Sequence, residues 1–95
     1  MKFEWDKKKE RKNIIKHNID FNRAKTVFND IKAVYLFDEA HSQDEERFNV
    51  IGRDHVLSEL TVCHCYRGEK EEIIRIISAR KATNEEVRIY MKGGV

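Results

Sequence analysis

The chain has 95 residues, of which 40% are hydrophobic and 38% are charged, and its formal net charge is only +2. This apolar content is enough for one small folded domain over residues 1–95 and argues against a disordered chain. Neither a hydrophobic leader segment nor an apolar run of about 18 residues occurs, so we expect no signal peptide and no membrane span.

The charges are distributed unevenly along the chain. Residues 1–16 carry seven Lys and Arg against three acids, and residues 73–82 carry three basic residues and no acid. Residues 38–46 carry five acids and no Lys or Arg. A surface that is polarised in this way can attract an anionic partner even at a low net charge.

Two helices are predicted in the N-terminal part of the chain. Asp6 is a suitable N-cap for a basic helix over residues 7–16, and His17 and Asn18 suit its C-terminal end. The cations of this helix form either a solvated face or a surface for nucleic acid or a partner. Asp20 is a suitable N-cap for a second, short helix with an apolar side formed by Phe21, Ala24, Val27 and Phe28. The segment before the first helix, Phe3-Glu4-Trp5, is interpreted as a short apolar lead-in.

From residue 31 the apolar residues alternate with polar ones, which is typical of strands. The pattern predicts four strands, at residues 31–38, 46–53, 59–67 and 71–79. An acidic loop, residues 39–45, separates the first two strands. Because the links are short, we expect an antiparallel meander with the helices packed on one face.

The last helix has the clearest sequence signal. Thr83 and Glu86 have the spacing of a capping box, and Val87, Tyr90 and Met91 form an apolar stripe before Gly93. The predicted fold is therefore α+β, with two N-terminal helices, a four-stranded antiparallel sheet and a C-terminal helix.

The stretch Ile73–Thr83 combines a β-branched strand pattern with cations. Strict alternation places Arg75 on one face of this strand and Arg80 on the other. Arg presents a planar fork of donors that suits phosphate oxygens. Arg80 and Lys81 also lie close to the N-terminus of the last helix, where an anion is favoured. The stretch therefore predicts a phosphate site.

The Cys63-His64-Cys65 run invites interpretation as a zinc site, but its spacing argues against one. Structural zinc sites use Cys pairs with two to four residues between them, in turns, and a second pair elsewhere, whereas one residue separates Cys63 from Cys65. Alternation here places His64 on the face opposite the two thiols. Two free cysteines in the core indicate a reducing, cytoplasmic setting.

Several side chains have both a structural and a functional interpretation. Glu46, beside Arg47, is either a solvated strand end or a general base near the cations. His17 and His64 are candidates for proton transfer, although a single His is more often structural. Tyr90 has the position of a core residue with its hydroxyl at the edge.

The order of these residues resembles the BrnT toxins, the former DUF497 group. The segments that carry the resemblance are Phe3-Glu4-Trp5-Asp6, Lys9, Asn13, Lys16-His17, Phe21, Ala24, Val27-Phe28-Asn29-Asp30, His41-Ser42, Glu45-Glu46-Arg47-Phe48, Ile51-Gly52, Arg75-Ile76-Ile77-Ser78-Ala79-Arg80-Lys81-Ala82-Thr83, Glu86 and Tyr90.

The resemblance implies a RelE-like fold and the toxin role in a type II toxin–antitoxin system. Such a toxin is a ribonuclease that stops translation, needs no cofactor, and is neutralised by a BrnA antitoxin. It further implies a toxin dimer within a heterotetrameric complex that represses its own operon, with operator DNA bound only through the antitoxin.

For metal-free RNA cleavage the predicted roles divide between phosphate binding and proton transfer. Arg75 and Arg80 are expected to stabilise the phosphate. The residues expected to assist in binding RNA are Arg47, Lys81, Lys12 and Lys16. The candidate bases are Glu46 and His17, and the candidate acids are His64 and Tyr90.

Two other functions remain open from the sequence. A non-catalytic module could bind RNA or an acidic partner through the same basic strand, and would show salt-sensitive binding without product. A structural zinc protein would bind stoichiometric zinc and unfold in the presence of chelators.

Overall fold

A computed structural model describes residues 1–94 of the chain. One short 3₁₀ turn, Thr26–Asn29, follows the second helix, and another, Glu39–His41, opens the loop after the strand Val34–Phe37. The regular elements are β1 (Lys2–Trp5), α1 (Lys7–His17), α2 (Phe21–Lys25), β2 (Val34–Phe37), β3 (Phe48–Arg53), β4 (Glu59–Arg67), β5 (Ile73–Lys81) and α3 (Asn84–Met91).

The strands form one mixed five-stranded sheet in the order β1-β5-β4-β3-β2. The four predicted strands pair in the antiparallel way, as expected. The predicted four-stranded sheet is wrong in one respect, because the N-terminal segment forms β1, which pairs in parallel with β5 from Lys2↔Ile73 to Trp5↔Ile76. Four residues are too few for alternation to reveal a strand, and the partner of β1 lies at the other end of the chain.

One face of the sheet, here called the helix face, carries the main core. α2 and the following 3₁₀ turn lay their apolar side chains on it, and each buried Val, Leu, Ile or Phe contributes about 1.5–3 kcal/mol. The buried core residues are Ile19, Phe21, Ala24, Val27, Val50, Leu60, Val62, Ile74, Ile76 and Ala79.

α1 lies beside β5 through a polar contact. Its buried residue is Asn13. The Asn13 amide donates to the carbonyl oxygens of Ile19 and Ala79, each at 2.9 Å, and accepts from the backbone N–H of Ala79 at 3.0 Å. β1 ends opposite Ile76, so Asn13 takes over the edge of β5 where no strand pairs with it. These hydrogen bonds fix α1 along that edge.

A β-bulge changes which face the arginines occupy. Cys63 pairs with Ser78 and His64 pairs with Ile76, so Ile77 is the extra residue of β5. The prediction that Arg75 and Arg80 lie on opposite faces is therefore wrong. Arg75 pairs with Cys65 and Arg80 with Thr61, and both belong to the face opposite the helix face, here called the arginine face.

α3 packs on the arginine face, so the expectation that all helices share one face is also wrong. Arg80 contacts Glu86 of α3, and Arg53 of β3 lies over the ring of Tyr90 at 5.5 Å. α3 begins as predicted at the capping box, with both reciprocal hydrogen bonds of Thr83 and Glu86 present. No helix within residues 1–94 is long and apolar enough to cross a membrane.

Candidate functional site

Polar side chains of α1 line a cavity beside β5. A helix that packs against a sheet normally has apolar side chains at such positions. The α1 residues recur at the spacing of one helix face, and they meet the bulged part of β5. The cavity has a volume of about 400 Å³ and is lined by Lys9, Lys12, Asn13, Lys16, His17, Ile77, Ser78 and Arg80. We call this cavity the basic pocket.

The basic pocket is suited to an anion. Among the described residues, no Asp or Glu lines it, while Lys9, Lys12, Lys16 and Arg80 all do. Cations that converge on a concave surface add their potentials and attract phosphate. Because Asn13 holds α1 against β5, the spacing between the lysines and Arg80 is set by the fold.

Arg80 is oriented by a carboxylate of α3. Its Nη1 and Nη2 donate to Oε1 and Oε2 of Glu86 at 2.6 and 3.0 Å, a bidentate pair. Burial works against ionisation of Glu86, but its hydrogen bonds from Arg80 and from the Thr83 backbone outweigh burial and lower the pKa of Glu86 to about 2. Glu86 is therefore anionic at neutral pH and positions Arg80, whose side chain remains 40% exposed.

Two further arginines lie on the arginine face beyond the basic pocket. Arg75 donates from Nη1 to Oε2 of Glu4 at 2.7 Å across the parallel β1–β5 pair. Arg47 precedes β3, and within residues 1–94 its buried Nε has no hydrogen-bond partner; the nearest carboxylate oxygen, of Glu45, is 3.9 Å away. A buried donor without a partner is unusual in a folded protein.

The arginine face also carries an Asp–His pair to which sequence analysis gave no role. His41 Nδ1 and Asp38 Oδ2 are 2.9 Å apart, and the His41 side chain is 67% exposed. The hydrogen bond to Glu86 is the main cause that raises the pKa of Arg80. The negative charge of Asp38 raises this pKa further, because Asp38 lies on the same face of the sheet as Arg80. A signal was present in the sequence, because Asp38 and His41 have the i, i+3 spacing of one helical turn.

His64 lies in the core on the helix face, away from the basic pocket. Its side chain is fully buried, with Nδ1 3.1 Å from the Val62 carbonyl oxygen and Nε2 3.3 Å from the Tyr66 hydroxyl. The rings of Phe28 and Tyr35 pack edge-on against it. Burial lowers the pKa of His64, so the imidazole is held neutral.

Tyr90, Glu46 and Lys81 also lie apart from the basic pocket. The Tyr90 hydroxyl donates to Oδ2 of Asp30 at 2.7 Å, on the far side of α3. Glu46 is exposed and lines a small cavity with Phe48 and Tyr66. Lys81 is exposed and pairs with Leu60, which puts it on the helix face.

The structure thus separates the predicted site residues into three groups. The basic pocket brings together Lys12, Lys16, His17 and Arg80, and adds Lys9 and Ser78, which sequence analysis missed. Arg47 and Arg75 lie on the arginine face outside the pocket. The third group lies apart from the pocket and consists of His64, Tyr90, Glu46 and Lys81. Lys9 could have been found from the sequence, because positions 9, 12, 13 and 16 form a single helical stripe.

The cysteines are embedded in the arginine face. Burial is the main cause that raises the pKa of Cys63 to about 11, and Cys65 is fully buried. Among residues 1–94 no three His, Cys, Asp or Glu side chains lie close enough together to hold a metal ion.

A five-stranded α+β fold with a basic pocket at its edge defines a small protein with a concave cationic surface. The family model that matches residues 5–86 is described as a ribonuclease toxin, BrnT, of a type II toxin–antitoxin system. The chain therefore belongs to the BrnT family of ribonuclease toxins.

A solved structure of the same family agrees with this assignment. The 1.1 Å crystal structure of the Brucella abortus ribonuclease toxin, BrnT, is similar to this chain, with a TM-score of 0.67 and 28% sequence identity. The similarity covers 88% of this chain and 99% of the Brucella chain. No match among curated protein sequences was found.

Proposed function

We propose that this chain is an endoribonuclease that holds the RNA backbone in the basic pocket and cleaves it by attack of the 2′-hydroxyl on the adjacent phosphate, without a metal ion. The observation that carries the proposal is the convergence of Lys9, Lys12, Lys16, His17 and Arg80 on one cavity that no carboxylate of the described chain lines. Membership of a ribonuclease toxin family supports the choice of RNA as substrate.

Charge stabilisation falls to the cations of the basic pocket. Attack by the 2′-oxygen builds negative charge on the non-bridging phosphate oxygens, and preorganised donors stabilise that charge. Arg80 is preorganised by its bidentate pair with Glu86, while Lys12 and Lys16 reach the same cavity from α1. Arg75 and Arg47 extend the binding surface along the arginine face toward the neighbouring nucleotides.

Proton transfer requires a base beside the attacking 2′-hydroxyl and an acid beside the departing 5′-oxygen. His17 lines the basic pocket, and we assign it the 2′-hydroxyl proton. His41, oriented by Asp38, is the imidazole on the same face that we assign to protonate the departing 5′-oxygen. The P–O5′ bond breaks as the 2′-oxygen bonds to phosphorus, which leaves a 2′,3′-cyclic phosphate and a 5′-hydroxyl.

These assignments replace the other candidates for geometric reasons. His64 and Tyr90 are buried in contacts away from the pocket, and Glu46 lies at another cavity. A phosphate bound by Arg80 could not reach His64 without opening the core.

The biological role follows from the same family. We propose that the fold is RelE-like, that cleavage of RNA inhibits translation, and that a BrnA-type antitoxin neutralises the toxin, which is a dimer within a heterotetrameric complex. Operator DNA would be bound through the antitoxin alone, and the complex would repress its own operon.

The test is cleavage of an end-labelled RNA by purified protein. Arg80→Ala should lower the rate by about 100-fold or more, the effect of removing one charge-stabilising donor. Lys81→Ala removes a neighbouring cation on the other face and serves as the matched control, with activity expected near wild type. Products should end in a cyclic phosphate, and the rate should be unchanged by EDTA.

A non-catalytic binding module is the second candidate, because Arg75 and Arg80 are each paired with a carboxylate as in a fixed binding surface. It predicts salt-sensitive RNA binding without product. Wild-type cleavage rates in Arg80→Ala with an intact fold would contradict the catalytic proposal.

A further inference from the structure

A row of three half-buried side chains crosses the arginine face beside the basic pocket. Asn49 of β3 pairs with Cys63 of β4, and Cys63 pairs with Ser78 of β5. Paired residues of antiparallel strands project to the same side of a sheet, so all three lie on the arginine face. Since neighbouring strands are about 4.8 Å apart, Asn49 and Ser78 are ~10 Å apart. We call these three residues the Asn49 row.

The Asn49 row joins the basic pocket to the Asp38–His41 pair. At one end, Ser78 lines the basic pocket. At the other end, Leu36 of β2 pairs with Asn49, and Asp38 directly follows β2 and continues the backbone pairing with β3. Alternation puts Leu36 and Asp38 on the same face, so Asp38 is a diagonal neighbour of Asn49.

The charges around Cys63 agree with this position of the row. Burial is the main cause that raises the pKa of Cys63. The negative charge of Asp38 raises this pKa further, and the positive charges of Arg47 and Lys9 lower it. Because such effects weaken with distance, Cys63 lies between Lys9 in the basic pocket and the side of Asp38 and Arg47. An RNA strand that runs from the basic pocket to His41 therefore passes over the Asn49 row.

Asn49 has a side-chain amide that the fold does not use. Asn is depleted in strands, because its side chain packs poorly on a pleated surface. Within residues 1–94 the amide of Asn49 makes no hydrogen bond, whereas the amide of Asn13 makes three. Neither polar atom of Asn49 is among the buried atoms without a partner, so the amide remains accessible. A free carboxamide offers one acceptor and two donors to a ligand.

We propose that Asn49 recognises the base of the nucleotide on the 3′ side of the cleaved bond, and that this base is adenine. The inference rests on the proposed function, in which His17 takes the proton of the 2′-hydroxyl and His41 protonates the departing 5′-oxygen. The 2′-hydroxyl belongs to the nucleotide on the 5′ side of the bond, and the 5′-oxygen belongs to the nucleotide on the 3′ side. The 3′ nucleotide therefore lies at the His41 end of the Asn49 row, beside Asn49.

The hydrogen-bonding groups of the bases favour adenine. Adenine presents the N6 amino donor beside the N7 acceptor, and an Asn carboxamide matches both groups at once. Guanine presents two acceptors on the same edge, which suits Arg or Lys, but Arg75 and Arg80 already donate to Glu4 and Glu86. Cytosine and uracil present a single group there. The bases of single-stranded RNA are unpaired, so these edges are open to a side chain.

The test uses four short RNAs that differ only in the nucleotide on the 3′ side of one cleavable bond. All other nucleotides are 2′-deoxy, so that only this bond has an attacking hydroxyl, and kcat/KM is measured from the end-labelled product. The wild-type chain should favour adenine about 5- to 100-fold, the discrimination that one bidentate pair supplies. Asn49→Ala should bring the four rates together by lowering the rate for adenine. Asn22→Ala changes an exposed asparagine on α2 and should keep the wild-type preference.

Removal of the amino group from the base separates recognition from a structural role of Asn49. Purine riboside lacks the N6 amino group of adenosine. In the wild-type chain, replacing adenosine by purine riboside should lower kcat/KM about as much as Asn49→Ala does. In Asn49→Ala the same replacement should have little further effect, because the two groups that interact are then both absent. If Asn49 were merely structural, Asn49→Ala would lower the rates on all these substrates by the same factor, which would overturn the proposal.

The possible negative results distinguish this inference from the proposed function. A folded wild-type chain that cleaves none of the four RNAs would overturn the proposed function and the inference with it. Equal cleavage of all four RNAs by the wild-type chain, or an adenine preference that persists in Asn49→Ala, would refute recognition by Asn49 and leave RNA cleavage standing. A preference for another base that Asn49→Ala abolishes would overturn the assignment to adenine. Circular dichroism of each variant confirms that the fold is retained.

Discussion

Asn13→Ala should lower the free energy of unfolding by about 3 kcal/mol. The variant removes three hydrogen bonds, each worth ~0.5–1.5 kcal/mol net, and leaves the Ala79 N–H and two carbonyl groups without their partner. Because Asn13 is only 6% exposed, water cannot readily replace the lost amide. A loss of this size is a large fraction of the stability of a small domain.

The measurement is urea denaturation followed by circular dichroism, with the free energy taken from the midpoint and slope. Asn22→Ala is the matched control, since Asn22 is an exposed asparagine on α2, and its effect should stay within about 0.5 kcal/mol. Asn13→Ala should also slow RNA cleavage, because α1 would no longer hold its lysines against β5. An Asn13→Ala variant as stable as the control would refute the claim that this side chain fixes α1 to the sheet.

Three further predictions concern pH and packing. Glu86→Gln should lower the free energy of unfolding by about 1–2 kcal/mol at pH 7, a value discounted for the partial exposure of Arg80. Because folding lowers the pKa of the Glu86 carboxyl from 4.5 to about 2, the wild-type contribution should disappear as the pH drops through that window. Acid titrations of both proteins should therefore show converging stabilities. Burial lowers the pKa of His64, so the unfolded chain takes up a proton on this imidazole at a higher pH than the folded chain does, and stability should decline as the pH falls below about 6.5. His64→Phe should flatten this dependence of stability on pH in urea melts. An unchanged slope would contradict the assignment to His64. Gly52→Ala should cost about 1–3 kcal/mol in thermal melts, since its Cβ would lie 2.9 Å from Cγ1 of Val27, and a neutral result would show that the 3₁₀ turn can shift.

The ion pairs of the arginine face have two consequences for a phosphate site. Glu4, Glu45 and Glu86 each offset part of a nearby arginine charge, which weakens attraction at long range. The same pairs fix the guanidinium groups in position, which lowers the cost of ordering them around a substrate. The lysines of α1, which have no carboxylate partner within residues 1–94, supply the remaining attraction, so binding of RNA should depend strongly on salt.

Features that depend on neighbouring residues were predicted from the sequence. The caps at Asp6, Asp20 and Thr83 are present, and the bounds of β4 are those predicted. Each rests on contacts two or three residues apart or on local alternation, so the information lies within one segment. The family resemblance extended this to the toxin class, because its residues recur in order along the chain.

Other features were decided by the tertiary structure. β1 exists because β5 offers it an edge, and the bulge at Ile77 is visible only in the pairing of β5 with β4. The bulge brings Arg75 and Arg80 to one face, which strict alternation could not show. His64 looked like a candidate acid because an imidazole has the same sequence signal whether it is buried or exposed. Burial and strand register are properties of the assembled sheet, and only its packing separated the basic pocket from the core.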